Sequence, residues 1–283
     1  MQGGDAREHG FALVAVLWAA IILAIVVASV QQMIWADAQL VRGSQATAQL
    51  HETADAAVNL VILRLLGPPV TQPPLDGTPF QVPFGGLNVR TSVQDEAGKI
   101  DLNMASEAVL RSLLSFVGLD AEDAEVMTDR ILDWREKTQT HRLNGAKAQE
   151  YQAAGLLYAP RNGPFRSVNE IQMVLGMTPE LYGRMAPLLT VYSQSAWVDP
   201  TFAPIGVLRL LAAFDPSAMD ALRRRENDWS DATTSAPRQL VAIGHVFTIN
   251  VELTGPGAVR VNRTAIIRLT GQASAPIWVY QWN

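Results

Sequence analysis

Histidine, the side chain most often used for acid–base and metal chemistry at neutral pH, occurs four times, and the four stand apart at His9, His51, His141 and His245. Beyond the first ten residues, only His51 has ligand-type neighbours. The stretch His51-Glu52-Thr53-Ala54-Asp55 carries the i, i+4 spacing that puts two metal ligands on one helix face, but Asp55 occupies the position where a zinc protease needs its second histidine. Cysteine is absent, which excludes disulfides, thiolate metal sites and a cysteine nucleophile. Neither a Gly-x-Ser-x-Gly elbow nor a phosphate-binding glycine loop occurs. Asp120, Glu122, Asp123 and Glu125 crowd together at a predicted helix start, where negative charge offsets the helix dipole without further function. These patterns predict a chain that is not an enzyme.

The remaining chemistry is that of a substrate, at the Gly10-Phe11 peptide bond. Gly10 stands directly before an apolar run from Phe11 to Val30, whose only polar member is Ser29, and the next charge is Asp37. At about 1.5 Å per helical residue the run reaches about 30 Å, the depth of a bilayer's hydrocarbon core. A secretory signal would have a basic leader and a cleavage site beyond its apolar core. Here Asp5, Arg7, Glu8 and His9 precede the run, and the marked junction lies on its near side. The arrangement resembles the type IV pilin signal, in which a short leader is removed and the apolar segment is kept. The slightly acidic leader departs from that class, whose leaders are usually basic.

The elements that must carry this segment follow from the pattern. No proline and one glycine, Gly43, interrupt Phe11 to Leu66, and Gly67-Pro68-Pro69 ends any helix abruptly. Leu50, Ala54, Ala57, Val58, Val61, Ile62 and Leu65 recur at helical spacing and predict an amphipathic second half that lies on a globular domain. Prolines and glycines from 67 to about 86 make a connector. Alternation in 87–95 predicts a strand, and Ile100 to Leu102 is expected to return as its hairpin partner. Helices are expected at 106–117, 121–136, 168–174 and 179–186; Ser167 with Glu170, and Thr178 with Pro179, supply start signals for the last two. Alternation returns in 247–253 and 265–270, with a turn at Thr254-Gly255-Pro256-Gly257 and a middle strand around 259–261. A faint repeat runs through the chain: Asp101, Ala105, Val109, Leu110, Arg111 and Leu113 recur as Asp199, Ala203, Val207, Leu208, Arg209 and Leu211.

The order of these features resembles the minor pseudopilin K family of the bacterial type II secretion system, a type IV pilin-like family. The residues that carry the resemblance are Gly10-Phe11 with its apolar run, Asp101-Leu102-Asn103 leading to Ala105, Ile131-Leu132-Asp133-Trp134, Asn144-Gly145-Ala146, Ser167-Val168-Asn169-Glu170, Leu175-Gly176-Met177-Thr178 and Leu189-Thr190-Val191-Tyr192-Ser193. The fold expected is α+β: a pilin-like long N-terminal helix packed on a small antiparallel sheet, with a large all-helical domain inserted in the sheet. The expected divisions are a leader at 1–10, the long helix at 11–66 with its transmembrane half at about 11–33, a connector and first strands at 67–102, the helical insert at 103–188, and a return to the pilin-like domain at 189–283.

The resemblance implies cleavage by a prepilin peptidase between Gly10 and Phe11 and methylation of the new Phe11 amine. Most pseudopilins carry glutamate at the fifth mature position, where it neutralises a neighbour's terminal amine. Ala15 stands there, and its lack of a carboxylate implies a tip subunit with no copy above it. The implied role is a non-enzymatic tip subunit that helps initiate the pseudopilus and export folded proteins across the outer membrane. The implied partners are the companion minor pseudopilins I and J, the peptidase and the inner membrane, crossed once with the C-terminal domain in the periplasm. No nucleic acid and no small-molecule substrate are expected. Cofactor content is expected to be none, with calcium the one ligand the resemblance raises. Asp133, Glu136 and Glu150 are its weak candidate ligands, because Lys147-Ala148 follows Asn144-Gly145-Ala146 where further acidic residues are expected.

A second reading is a membrane-tethered helix-hairpin-helix DNA-binding module built on 175–185. Such hairpins need a second glycine and a basic neighbour; Thr178 and Glu180 stand there instead, and the net charge of -5 repels phosphate.

Overall fold

The structure, a computed structural model, is described over residues 6–84, 87–228, 243–255 and 259–283; side chains at 6–14, 30–44, 46, 87–88 and 228 are outside the description. Residues 1–5 of the expected leader and 256–258 of the expected turn lie outside the described residues.

Helix α1 runs unbroken through Ala6–Leu66, about 90 Å at helical rise. Its C-terminal half buries Leu50, Ala54, Ala57, Val58, Val61, Ile62 and Leu65, the face expected from periodicity. That face lies on a five-stranded antiparallel sheet of β1 (Phe80–Phe84), β2 (Leu87–Asp95), β5 (Val246–Thr254), β6 (Arg260–Gln272) and β7 (Ala275–Trp282), ordered β1-β2-β5-β6-β7. Val89, Val93, Phe247, Ile249, Val251, Ala265 and Ile267 supply the sheet's side of this core. The small side chains of Ala54 and Ala57 let the helix backbone come close to the strands. One stem carboxylate locks the register: Asp55 accepts from Arg263 Nη2 at 2.9 Å and from Trp282 Nε1 at 2.8 Å.

Between β2 and β5 the chain builds a helical body on a second core. Its elements are α2 (Glu107–Phe116), α3 (Ala121–Arg135), α4 (Ala148–Ala153), α5 (Pro179–Met185), α6 (Ile205–Leu211) and α7 (Pro216–Asp228), with a short 3-10 turn at Val168–Met173. Helices α6 and α7 lie beyond residue 188 in sequence, yet Val207, Leu208, Leu211, Ala218 and Ala221 pack in this same core.

The strand expected to return from β2 does not pair with it. β3 (Ile100–Asp101) pairs in parallel with β4 (Leu189–Thr190), closing the helical body at its neck. The reason is the 3-10 turn Glu96–Gly98, which Asp95 caps by accepting from Ala97 N at 2.9 Å and which turns the chain away from the sheet. The middle strand and the 265–270 strand are one continuous β6. β1 and β7, both edge strands, lie where the sequence pattern gave no strand.

The faint repeat is real in three dimensions. Asp101 accepts from Asn103 N and Asp199 from Thr201 N, each at 2.8 Å, making the same side-chain turn before α2 and α6. In each copy an arginine from the following helix returns to that turn. Arg135 donates to Leu102 O and Ala105 O, and Arg225 to Thr201 O and Ala203 O. The helical body therefore contains two turn-helix-helix units, each closed by its own guanidinium.

Sheet and helical body meet at a polar joint. Gln94 Nε2 donates to Phe202 O at 2.9 Å, Asp199 N donates to Ala97 O at 2.9 Å, and Gly98 lies so close to Phe202 that a Cβ would collide with its carbonyl. His245 Nδ1 pairs with buried Asp95 at 2.6 Å, and its ring meets Phe202 edge-on. The hydrogen bond to Asp95 raises the His245 pKa against its burial, helped by the charges of Asp95 and Asp199. A raised folded pKa makes this contribution full below about 6.5, the unfolded value, and removes it as pH rises through the folded value. Denaturant midpoints of the detergent-solubilised chain should thus fall as pH rises through that window, and His245→Gln should flatten the fall.

Candidate functional site

The stem is the first candidate surface. Between 15 and 29, Val16, Leu17, Trp18, Leu23 and Ile25 are each more than half exposed, an apolar surface left uncovered by the described residues. Ala15 is exposed on it. Gly10 and Phe11 lie in the helical backbone of α1, and their side chains are outside the described residues. Among the described residues no helix is long and apolar enough to cross a membrane. The described side chains cover only part of the Phe11–Val30 run.

The zinc-like stretch dissolves on inspection. His51 is exposed, while Asp55, its would-be partner, is engaged by Arg263 and Trp282. Asp120 accepts from Asp123 N at 2.8 Å as an ordinary helix cap, with Glu122 and Asp123 in the first turn. At the 175–185 hairpin, Thr178 caps α5 by accepting from Leu181 N, and Glu180 stands exposed in the first turn, a negative charge that would oppose a phosphate.

The second candidate is the loop that leaves α3. Its anchor is Trp134, whose ring stacks on Phe165 at 6.0 Å, tilts against Tyr151 at 6.1 Å, and donates through Nε1 to Glu170 at 3.2 Å. Burial pushes the Tyr151 phenol up to about 12, and its hydroxyl accepts from Leu175 N at 2.9 Å. Asn103 fixes the far side, accepting from Phe165 N at 2.7 Å and donating to Phe165 O at 3.0 Å. The Asp101-Leu102-Asn103 motif is therefore structural. Asp101 also accepts from Ser193 Oγ and Gln194 N, tying the neck strands together.

Asp133, Glu136 and Glu150, the candidate calcium ligands, do not converge. The fully buried Asp133 carboxylate accepts from Arg142 N at 3.1 Å. Glu136 Oε1 accepts from Arg142 Nη2 at 2.9 Å, and Glu150 Oε2 accepts from Lys147 N at 2.8 Å. Arg142 also reaches Glu107 at 3.0 Å, and Asn144 N donates to Asp129 at 3.1 Å. Burial pushes the Asp133 carboxyl above the usual carboxylate range, against the Arg142 backbone donor and the Lys147 charge. Among the described residues no group of three acidic or histidine side chains is placed to hold a metal ion. The donor set does not fit a divalent cation, because its carboxylates are already spent on cations and amides of the chain itself.

Sequence reasoning missed Lys147, Arg142, Arg135 and the Asp95–His245 pair. Each acts across many positions to backbone atoms or to another segment, and no local spacing announces it.

Residues 85–194 match the family described as "Type II secretion system (T2SS), protein K". Curated relatives are type II secretion system protein K of Pseudomonas aeruginosa, 26% identical over 49% of this chain and 44% of that protein, and of Dickeya chrysanthemi, 29% identical over 42% of this chain and 27% of that protein. The matches thus span less than half the length of these relatives. The fold is similar to a chain in the crystal structure of the GspK-GspI-GspJ complex of enterotoxigenic Escherichia coli, with a TM-score of 0.59, 16% identity, and coverage of 86% of this chain and 98% of that one.

The crowded α3 loop yields a direct prediction. A Cβ on Gly145 would collide with the Asp133 carboxylate. Gly145→Ala should lower unfolding stability by about 1–3 kcal/mol, read from denaturant midpoints.

Proposed function

We propose that this chain, which belongs to the type II secretion system protein K family through residues 85–194, is a non-enzymatic pseudopilus subunit that sits at the filament tip. The observation that carries the reading is a single helix, α1, that presents bare apolar side chains at one end and is built into a broad two-part head at the other. In the full sequence the apolar run spans Phe11–Val30, enough for one crossing of the inner membrane, with the head in the periplasm. A prepilin peptidase would cut between Gly10 and Phe11 and the Phe11 amine would be methylated.

Ala15 supports the tip position, since it offers no carboxylate to the terminal amine of a subunit above. The helical body supports it through size, because it projects beside the sheet where a filament wall would need a slim subunit. The companion minor pseudopilins I and J are the partners of choice, reached through the stem. The face from Leu50 to Leu65 is buried on this chain's own sheet, so partner contacts must use the flanks of the same helix. The DNA-binding reading has no observation in its favour at 175–185.

Intact mass of protein purified from membranes should give a chain beginning at methylated Phe11, and Gly10→Leu should leave the full-length form accumulating. Single cysteines placed along 36–60, in a chain with no native cysteine, should cross-link to I and J and not chiefly to a second copy. A mature chain starting elsewhere, or cross-links only between two copies, would overturn the assignment.

A further inference from the structure

The α3 loop already contains a cation. Lys147 is 5% exposed, and its Nζ donates to Asp133 O, to Glu136 O at 3.0 Å and to Asn162 Oδ1 at 2.9 Å. An ammonium has three donors and no acceptor, so three oxygens satisfy it completely. Those oxygens come from the last turn of α3, from the residue just beyond it, and from the loop that leads into Phe165. Asn162 presents its side chain from a left-handed backbone, φ 51°, a conformation asparagine tolerates better than most residues. The Lys147 backbone is fixed as well, since its N donates to Glu150 Oε2 at 2.8 Å at the start of α4.

We propose that the Lys147 ammonium is the resident structural cation of this loop, covalently supplied by the chain in place of the calcium that the family resemblance implies, so that the helical body folds without divalent metal. Geometry carries the assignment. Two segments, the end of α3 with Asp133 and Glu136 and the loop that carries Asn162, turn three oxygens onto one positive charge supplied by a third, which is how a loop is organised around a metal. The ammonium sits at the focus, on a stem that cannot diffuse away. Arg142 does the same for the outer carboxylates, bridging Glu107 and Glu136. The positive charges that would order these acidic loops are thus both side chains. Burial pulls the Lys147 pKa below its ordinary value, while Asp133 and Glu136 pull it back toward the charged form. The inference is independent of where the subunit sits in a filament.

The test has two arms, both on the full chain in detergent. In the first, thermal melting and calorimetric titration are run with calcium chloride and with EDTA. Unchanged melting and no saturable calcium heat are expected; saturable calcium binding that raises the melting temperature overturns the proposal. In the second, Lys147→Met keeps the apolar stem and removes the charge. Amide exchange across residues 137–147 should then quicken by at least about tenfold, the response to roughly one lost charged hydrogen-bond donor. Exchange equal to that of the unmodified chain overturns the proposal. Should Lys147→Met fail to fold, the calcium arm on the unmodified chain decides alone.

Discussion

Everything in this chain depends on the seating of one helix face against one sheet. Ala54, Ala57, Val58 and Val61 are fully buried there, and no alternative cover exists for them within the described residues. Each larger residue in that row would push the helix off the strands, and each polar one would leave an unmet group in an apolar layer. Because the helix continues without a break from this seat into the exposed apolar segment, the orientation of the head is set by the orientation of the stem. Asp55 adds direction to the packing. Its two oxygens hold Arg263 on β6 and Trp282 on β7, so rotation of the helix about its axis would break charged hydrogen bonds as well as apolar contacts.

The helical body hangs from this platform by its polar neck. Parallel pairing of β3 with β4 and the Gln94, Asp95 and Ala97 contacts are few, and they are short-range hydrogen bonds with strict geometry. Inside the body, order is imposed by one buried and three half-buried cations. Arg135 and Arg225 each pin the turn that begins their own unit, while Lys147 and Arg142 gather the loop after α3. A chain without cysteine has found cross-links in guanidinium and ammonium groups, which bind several carbonyls at once.

What could be read from sequence divides along sequence distance. The stem face was legible because its period is local, and so were α2, α3 and α5, whose caps at Ser106, Asp120 and Thr178 lie three residues from the amides they satisfy, while α4 at Ala148–Ala153 lies where no helix was expected. The repeated Asp turn was legible as residue identities, though its closing arginines were not. The pairing of β3 was misread because proximity in sequence favours a hairpin, and only the 3-10 turn at Glu96–Gly98 sends it elsewhere. β1 hid behind Pro83, and β7 behind exposed aromatic residues that do not alternate in burial. Of the candidate site, the roles proposed for Gly10, Phe11 and Ala15 rest on position relative to the apolar run. The role of Lys147 was not legible, since its partners lie 11 to 15 positions away in two segments and two of the three acceptors are backbone carbonyls.

The central claim is that stem and sheet form one cooperative unit. Hydrogen exchange followed residue by residue in the detergent-solubilised chain tests it most directly. Amides of α1 from 54 to 65 should exchange together with those of β5 and β6, with the same free energy of opening and the same response to denaturant. If residues 54 to 65 instead exchange as a separate, weaker unit while the sheet stays protected, the helix is only leaning on the head and the account fails.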